Sequence, residues 1–372
     1  MIRKITLTAL CALVTSPAIA GGWETGRLDT GFLDQEGNYV ELSYGSMDYS
    51  LEGTTGPTAV ATHQMAKDQK RSTISGKFQI GNFDFGLTVF GSGAIQMDGQ
   101  NTGSTSVVPS GDVTIDTKAF TARYSFNDNF SALVGLRDVK LNTSTLSTLS
   151  TAYALNATSK TGKFYGVAYE IPEYALKFDI LRSDALNMGL TGTATGRPAT
   201  APYNLNGVQF NLDPTSSLGV PEATTIKFQT GISENTLMLA SIHKVKWKSS
   251  QIVVKAAGVP GGSTALDNGS NFANSTAYSL GLGRKLTEKT SASLSYSWEK
   301  GTGATSTSPF TMSNGSKTLS VGLKHTLDAI TISGGLSYTK AGDVKVQHSS
   351  GLTANYVGNN VKAFGLKVGY NF

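Results

Sequence analysis

The chain has one cysteine in 372 residues, Cys11. A lone thiol excludes an internal disulfide framework and any multi-cysteine metal centre. There are only 4 histidines, His63, His243, His325 and His348, spread far apart. No nucleophile, base and orienting group recur in a pattern that marks a catalytic set, so no enzyme is expected. No metal or cofactor is expected either, because the alternating oxygen ligands of a calcium loop are missing. Charged residues make up only 15% of the chain, and the bases stand singly. Nucleic acid is therefore excluded as a partner. No apolar run reaches the length of a membrane-spanning helix, which takes about 20 residues, so a helical membrane protein is excluded as well.

What is present is alternation. From Phe364 onward the final segment places Phe364, Leu366, Val368, Tyr370 and Phe372 on one parity, and Gly365, Lys367, Gly369 and Asn371 on the other. A strand with one apolar and one polar face follows. Its length suits a tilted strand crossing a bilayer, and the aromatic ending, Tyr370 and Phe372, reads as an assembly signal of an outer-membrane barrel. At the other end, Arg3 and Lys4 precede the apolar run Ile5–Val14 and the small-residue site Ala18-Ile19-Ala20. Residues 1–20 are expected to be a signal peptide. Without Arg3 and Lys4, the 31 basic residues fall to 29 against 26 acidic ones, a net charge of +3.

Alternating segments recur along the whole chain: Asn38–Asp48, Arg71–Ile80, Phe83–Met97, Asp116–Phe126, Phe130–Thr143, Gly162–Ile171, Ala175–Ser183, Thr224–Ile232, Thr236–Val253, Thr276–Leu286, Ser291–Lys300, Lys317–Leu327, Ile330–Gln347 and Val357–Phe372. The expected fold is all-β, a transmembrane antiparallel barrel of about 14 strands over residues 36–372, an even number as such barrels have. Tight turns such as Gly81-Asn82 and Asp328-Ala329 alternate with long Gly/Ser/Thr-rich loops, which assigns turns to the periplasmic rim and loops to the exterior. Lipid-facing sets include Phe83, Phe85, Leu87 and Val89; the opposite parity carries Lys77, Arg123, Arg137, Lys163, Lys177, Lys227, Lys285, Lys324 and Lys367. Trp247 and Trp298 are expected in the exterior aromatic girdle. Apolar Phe90, Leu133, Met238 and Ile242 are expected to share the inward parity, which suits a hydrophobic path better than a wet pore.

Several segments resemble long-chain fatty acid transporters of the bacterial outer membrane (FadL-like, alphaproteobacterial branch): Glu36–Gly45, Tyr124–Phe130, Ala168–Pro172, Phe228–Ile232, Gly281–Lys285 and Gly365–Tyr370. The resemblance implies a fourteen-stranded barrel with an N-terminal hatch. It also implies uptake of hydrophobic molecules, released sideways through a kink in the third strand. Residues 21–35 would form the hatch, shorter than the family's and without an Asn-Pro-Ala motif. Within it, Trp23, Leu28, Phe32 and Leu33 are expected to bind ligand together with Phe90, Leu133, Met238, Arg123 and Arg137. Gly91, Ser92 and Gly93 mark the expected lateral opening, since paired glycines weaken a strand and permit a bulge.

Two apolar loops are expected to capture ligands. One carries Leu146, Leu149 and Tyr153 at roughly helical spacing, and the other Tyr203, Leu205 and Phe210. The expected partners are a hydrophobic small molecule (fatty acid or hydrocarbon), outer-membrane lipids and lipopolysaccharide, and the barrel assembly machinery, with the chain a monomer in the outer membrane. A general diffusion porin and a structural or adhesive barrel are the alternatives.

Overall fold

Fourteen strands close on themselves by continuous antiparallel pairing. The computed structural model describes residues 22–23, 26–99, 108–148, 150–197, 205–260, 267–303, 305–347, 351 and 353–372; the expected signal peptide lies outside them, as do Leu149 and Tyr203. The wall strands are β1 (Tyr39–Ser50), β2 (Gln69–Ile80), β3 (Phe83–Asp98), β4 (Ser110–Ser125), β5 (Phe130–Leu141), β6 (Thr158–Ile171) and β7 (Leu176–Ser183). They continue as β8 (Ala223–Ser233), β9 (Thr236–Val245), β10 (Ser275–Lys285), β11 (Thr290–Glu299), β12 (Ser316–Leu327), β13 (Ile330–Ala341) and β14 (Asn360–Asn371). Each pairs with the next, and β1 pairs with β14 from Tyr39↔Asn371 to Ser50↔Asn360. Closure leaves no sheet edge, as a strand structure in lipid requires.

Parity follows from solvation. On β14, Phe364, Leu366, Val368 and Tyr370 point out, while Val361, Ala363, Gly365 and Gly369 are buried inside. The same outward apolar belt runs through Leu42, Ile74, Leu87, Phe120, Leu136, Leu294, Leu323 and Leu336. No helix among the described residues is long and apolar enough to cross a membrane. The architecture is that of an outer-membrane-type barrel.

The short connections all lie on one rim. Gly81 (φ +57°) and Asp328 (φ +50°) take left-handed backbone in two-residue hairpins, a conformation that glycine and aspartate tolerate best. The opposite rim carries the long loops, which fold into a cap. One small sheet joins Leu186–Gly189, Ser217–Val220, Ile252–Val254 and Asn268–Gly269; another joins Gly53–Thr55, Val60–Ala61, Thr305–Ser306, Val344–Gln347 and Thr353–Tyr356.

Three expectations change. The segments Thr236–Val253 and Ile330–Gln347 are each interrupted, ending as wall strands at Val245 and Ala341 before short cap strands. The loop around Leu146 is not helical; Ser144–Ser147 and Thr151–Leu155 form a hairpin whose first strand pairs with the upper end of β4. Its Thr145, Thr151 and Tyr153 suit strands, and β4 offers backbone partners. Trp247 is not in the girdle but fully buried, in a short 3-10 turn, Trp247–Ser249, just past β9.

Candidate functional site

The N-terminal segment lies against inward-facing wall residues. Its short 3-10 turn, Gly31–Asp34, buries Phe32 and Leu33. These pack with Tyr39 and Leu133, and Leu133 and Leu28 pack in turn with Ala119, Phe164 and Leu181. The wall makes room at Gly86, where an added Cβ would come within 2.8 Å of both Phe32 and Leu33.

Charges fix this segment. Arg123 contacts Asp34 at 2.6 Å and Asp84 at 2.7 Å; Lys177 reaches Asp34 at 2.6 Å; Lys77 pairs with Asp84 at 3.1 Å. The Lys77 and Arg123 side chains also donate to the Leu33 carbonyl. Farther along, Lys227 holds Asp29 at 2.8 Å. Burial alone would raise the carboxyls of Asp29 and Asp34, but Lys227 and Lys367 around Asp29, and Lys177 and Arg123 around Asp34, more than offset it. Both groups sit below the usual carboxylate value. Phe32, Leu33 and this ion network form a floor near the short-turn rim.

Above the floor, the wall changes at Gly91–Gly93. The β2–β3 ladder runs from Ile80↔Phe83 to Thr73↔Phe90 and stops. The β3–β4 ladder continues, with a register shift between Gly91 and Gly93. Ser92 is the extra residue, and its Oγ accepts a hydrogen bond from Thr117 Oγ1 at 2.8 Å. The edge of β3 facing away from β4 is met instead by the N-terminal segment. Gly26 N donates to Ser92 O at 3.3 Å, and Ala94 N donates to Trp23 O at 3.0 Å. Higher up, Lys67 N donates to Gln96 O and Asp98 N to Met65 O, closing the gap at its top.

A cavity of about 40 Å³ adjoins this point, lined by Trp23, Leu28, Phe90, Arg137, His243 and Trp247 among others. A second, of about 140 Å³, shares Gly26 and Phe90 with it and continues to Gly91 and Arg71. An aromatic series leads upward from the first: Trp23 and Trp247 meet edge-on at 5.2 Å, Trp247 and Phe272 at 5.4 Å, and Phe272 and Phe310 at 6.1 Å. Phe272 also lines an open groove of about 430 Å³ on the cap, with Lys248 and Lys300.

Sequence reading therefore brought together Trp23, Leu28, Phe90 and Arg137 at one cavity beside Gly91–Gly93. It misplaced others. Met238 points outward: its register partners are Thr230 and Leu282, and Leu282 is on the lipid face. Ile242 shares that face; no bulge falls near Ser241, and the irregularity on this hairpin lies between Gly231 and Ser233. Lys163, expected inward, also points outward, since its register partner Leu136 is on the lipid face and its neighbours Gly162 and Phe164 are buried inside. Residues 237–240 of β9 are apolar on both parities, so only the neighbouring strands decide its faces. Arg123 serves the floor rather than the cavity. Of the expected capture residues, Leu146, Tyr153 and Leu205 are buried and Phe210 is half-buried; they pack inside the cap because burial against other loops removes more apolar surface than exposure would. Trp247, His243 and Arg71 were missed. Trp247 carried a faint signal, since its odd number continues the inward parity of β9.

No protein-family model matches the chain, and no curated protein sequence is similar to it. Solved structures are similar. A FadL homologue of Pseudomonas aeruginosa superposes with a TM-score of 0.77 over 92% of each chain at 12% identity. The toluene transporter TodX of Pseudomonas putida gives 0.63 over 97% of this chain and 96% of its own, and the monoaromatic hydrocarbon channel CymD gives 0.58 over 91% and 89%, both at 12% identity. The chain shares their fold.

Proposed function

We propose that this barrel carries hydrophobic small molecules across the outer membrane and releases them sideways, between β2 and β3. The observation that carries the reading is the end of the β2–β3 ladder at Thr73↔Phe90 beside a cavity lined by Trp23, Leu28, Phe90 and Trp247. A ligand settles first in the cap groove at Phe272, follows the aromatic series past Trp247, and reaches Phe90 and the gap. The floor of Phe32, Leu33 and the Asp34–Arg123–Asp84 network obstructs a straight route to the periplasm, which favours a wall exit over a pore. Resemblance in fold to channels for toluene and monoaromatic hydrocarbons supports a ligand of that apolar class.

Residues 21–35 act as the hatch, and Tyr370 and Phe372, stacked at 5.9 Å on the outer face of β14, serve recognition by the assembly machinery. The test is uptake into liposomes bearing the purified chain. A labelled hydrophobe should enter and a small sugar should not. Sugar entry at a comparable rate would favour a diffusion porin and refute the reading.

A further inference from the structure

The outer face of β12, β13 and β14 changes chemistry at its loop-side end. Rising from the short turns, β13 presents Ile332, Leu336 and Tyr338, and then Lys340; β12 presents Leu323, Val321 and Leu319, and then Lys317. On β14, Leu366 and Phe364 give way to Lys362. All three lysines are exposed. Lys317 and Lys340 are direct register partners, and Lys362 is opposite Tyr338, one inward–outward step below Lys340.

Like charges placed directly opposite in an antiparallel pair destabilise it. Among the described residues, no ion pair joins these lysines to a carboxylate, and the nearest acid in register is Asp48, opposite Lys362 on β1. The far wall is built differently. There Lys118 is opposite Asp138 and Lys140 is opposite Asp116, so both of these bases face acids, as Lys362 faces Asp48 but Lys317 and Lys340 do not.

The height of the patch names its surroundings. Trp298 is the register partner of Lys317 and stacks with Tyr278 at 5.3 Å and Tyr296 at 5.9 Å. Such aromatics mark the membrane interface. The lysines sit at the same level, on the rim of the long loops, and so at the headgroups of the exterior leaflet. A cluster of ammonium groups there suits a doubly charged phosphate, which accepts several charge-assisted hydrogen bonds at once. We propose that Lys317, Lys340 and Lys362 bind the phosphate groups of a phosphorylated glycolipid of the outer leaflet.

The test is native mass spectrometry of the detergent-purified chain with bis-phosphorylated lipid A, with the same lipid dephosphorylated, and with phosphatidylglycerol. Each lysine near a charged membrane surface contributes about 1 kcal/mol, so K317Q/K340Q/K362Q should bind bis-phosphorylated lipid A roughly a hundredfold more weakly. K118Q/K140Q should bind it as the parent does. Heat-modifiability on gels checks that each variant is folded. If the triple variant does not fold, K340Q alone should weaken binding about fivefold, and in lipid-free detergent it should be more heat-resistant, because it removes the like-charge pair. Undiminished binding by the triple variant, or by K340Q where only that variant folds, would overturn the proposal. So would equal loss in K118Q/K140Q, equal retention of the dephosphorylated lipid, or equal retention of phosphatidylglycerol.

Discussion

Gly91 and Gly93 flank one bulge, yet a methyl group should act oppositely at the two. A Cβ at Gly93 would lie 2.0 Å from Trp23 Cε3 and 2.2 Å from Cζ3, so the indole must leave. A Cβ at Gly91 would meet Arg71 Nη1 at 2.6 Å, the tip of a flexible side chain that can swing aside. Trp23 is 4% exposed. Burying a large aromatic removes about 150–250 Å² from water, which at about 25 cal/mol per Å² is an upper bound of roughly 4–6 kcal/mol. The wall ladders do not run through Trp23, so the loss falls on docking of the N-terminal segment and not on the barrel. Gly93→Ala should stay heat-modifiable while trypsin gains access to Arg27. A docking loss of only about 3 kcal/mol would raise the undocked population roughly a hundredfold, and cleavage in outer-membrane fragments should quicken accordingly. Gly91→Ala should be cleaved at the parent rate. Equal cleavage of Gly93→Ala and parent would refute the claim that the indole and this glycine share one space.

Acid should loosen the same segment, and only at low pH. The carboxyls of Asp29 and Asp34 are depressed, so their contribution is fully present above the unfolded value of about 4 and is lost as pH falls through the folded ones; tryptophan fluorescence should be flat from neutral pH to about 5 and change only below about 4. Deleting Phe372 should lower the folded, heat-modifiable fraction in the membrane, and unchanged assembly would remove its proposed role. A tag inserted at Gly207, exposed in a long loop, should be reachable on intact cells; labelling only after membrane rupture would invert the topology. Met238→Lys should destabilise the barrel by up to about 2–4 kcal/mol, the range for a lysine facing lipid, while assembled protein transports at the parent rate; a selective loss of transport would return Met238 to the lumen.

The wall was legible in the sequence because lipid allows no compromise. A strand in a bilayer must be apolar outside, so Phe364 to Phe372 and Phe83 to Val89 declare their faces. The same rule fails where both faces are apolar. Leu237 to Ala240 satisfy either parity, and their orientation is set by cross-strand partners that the local sequence does not contain. The cap was illegible for a related reason. Leu146 and Tyr153 fit a helix or a hairpin equally, and the upper end of β4 decides between them. The paired glycines pointed to the bulge, since their local permissiveness is written at Gly91 and Gly93 themselves. Their tenant was not written there. Trp23 is distant along the chain, and nothing local couples an N-terminal indole to a third-strand glycine.

That coupling gives the gap its physical meaning. Backbone groups in a membrane wall must find partners, because lipid supplies none. Beyond Thr73↔Phe90, β3 has lost β2, yet its Ser92 carbonyl and Ala94 amide are both satisfied by the N-terminal segment, through Gly26 N and Trp23 O. The segment thus replaces a stretch of wall strand as well as filling the lumen. Undocking it strands two buried polar groups at about 1–3 kcal/mol each, besides uncovering the Trp23 site. A purely apolar ligand cannot satisfy those groups, so a route through the gap needs water or a polar side chain at the same moment. Arg71, whose guanidinium is already over Gly91, can donate to the Ser92 carbonyl, while the Ala94 amide needs an acceptor such as water. Under the proposed sideways release, this wall rests closed, and opening it means moving Trp23 and re-satisfying Ser92 and Ala94 together.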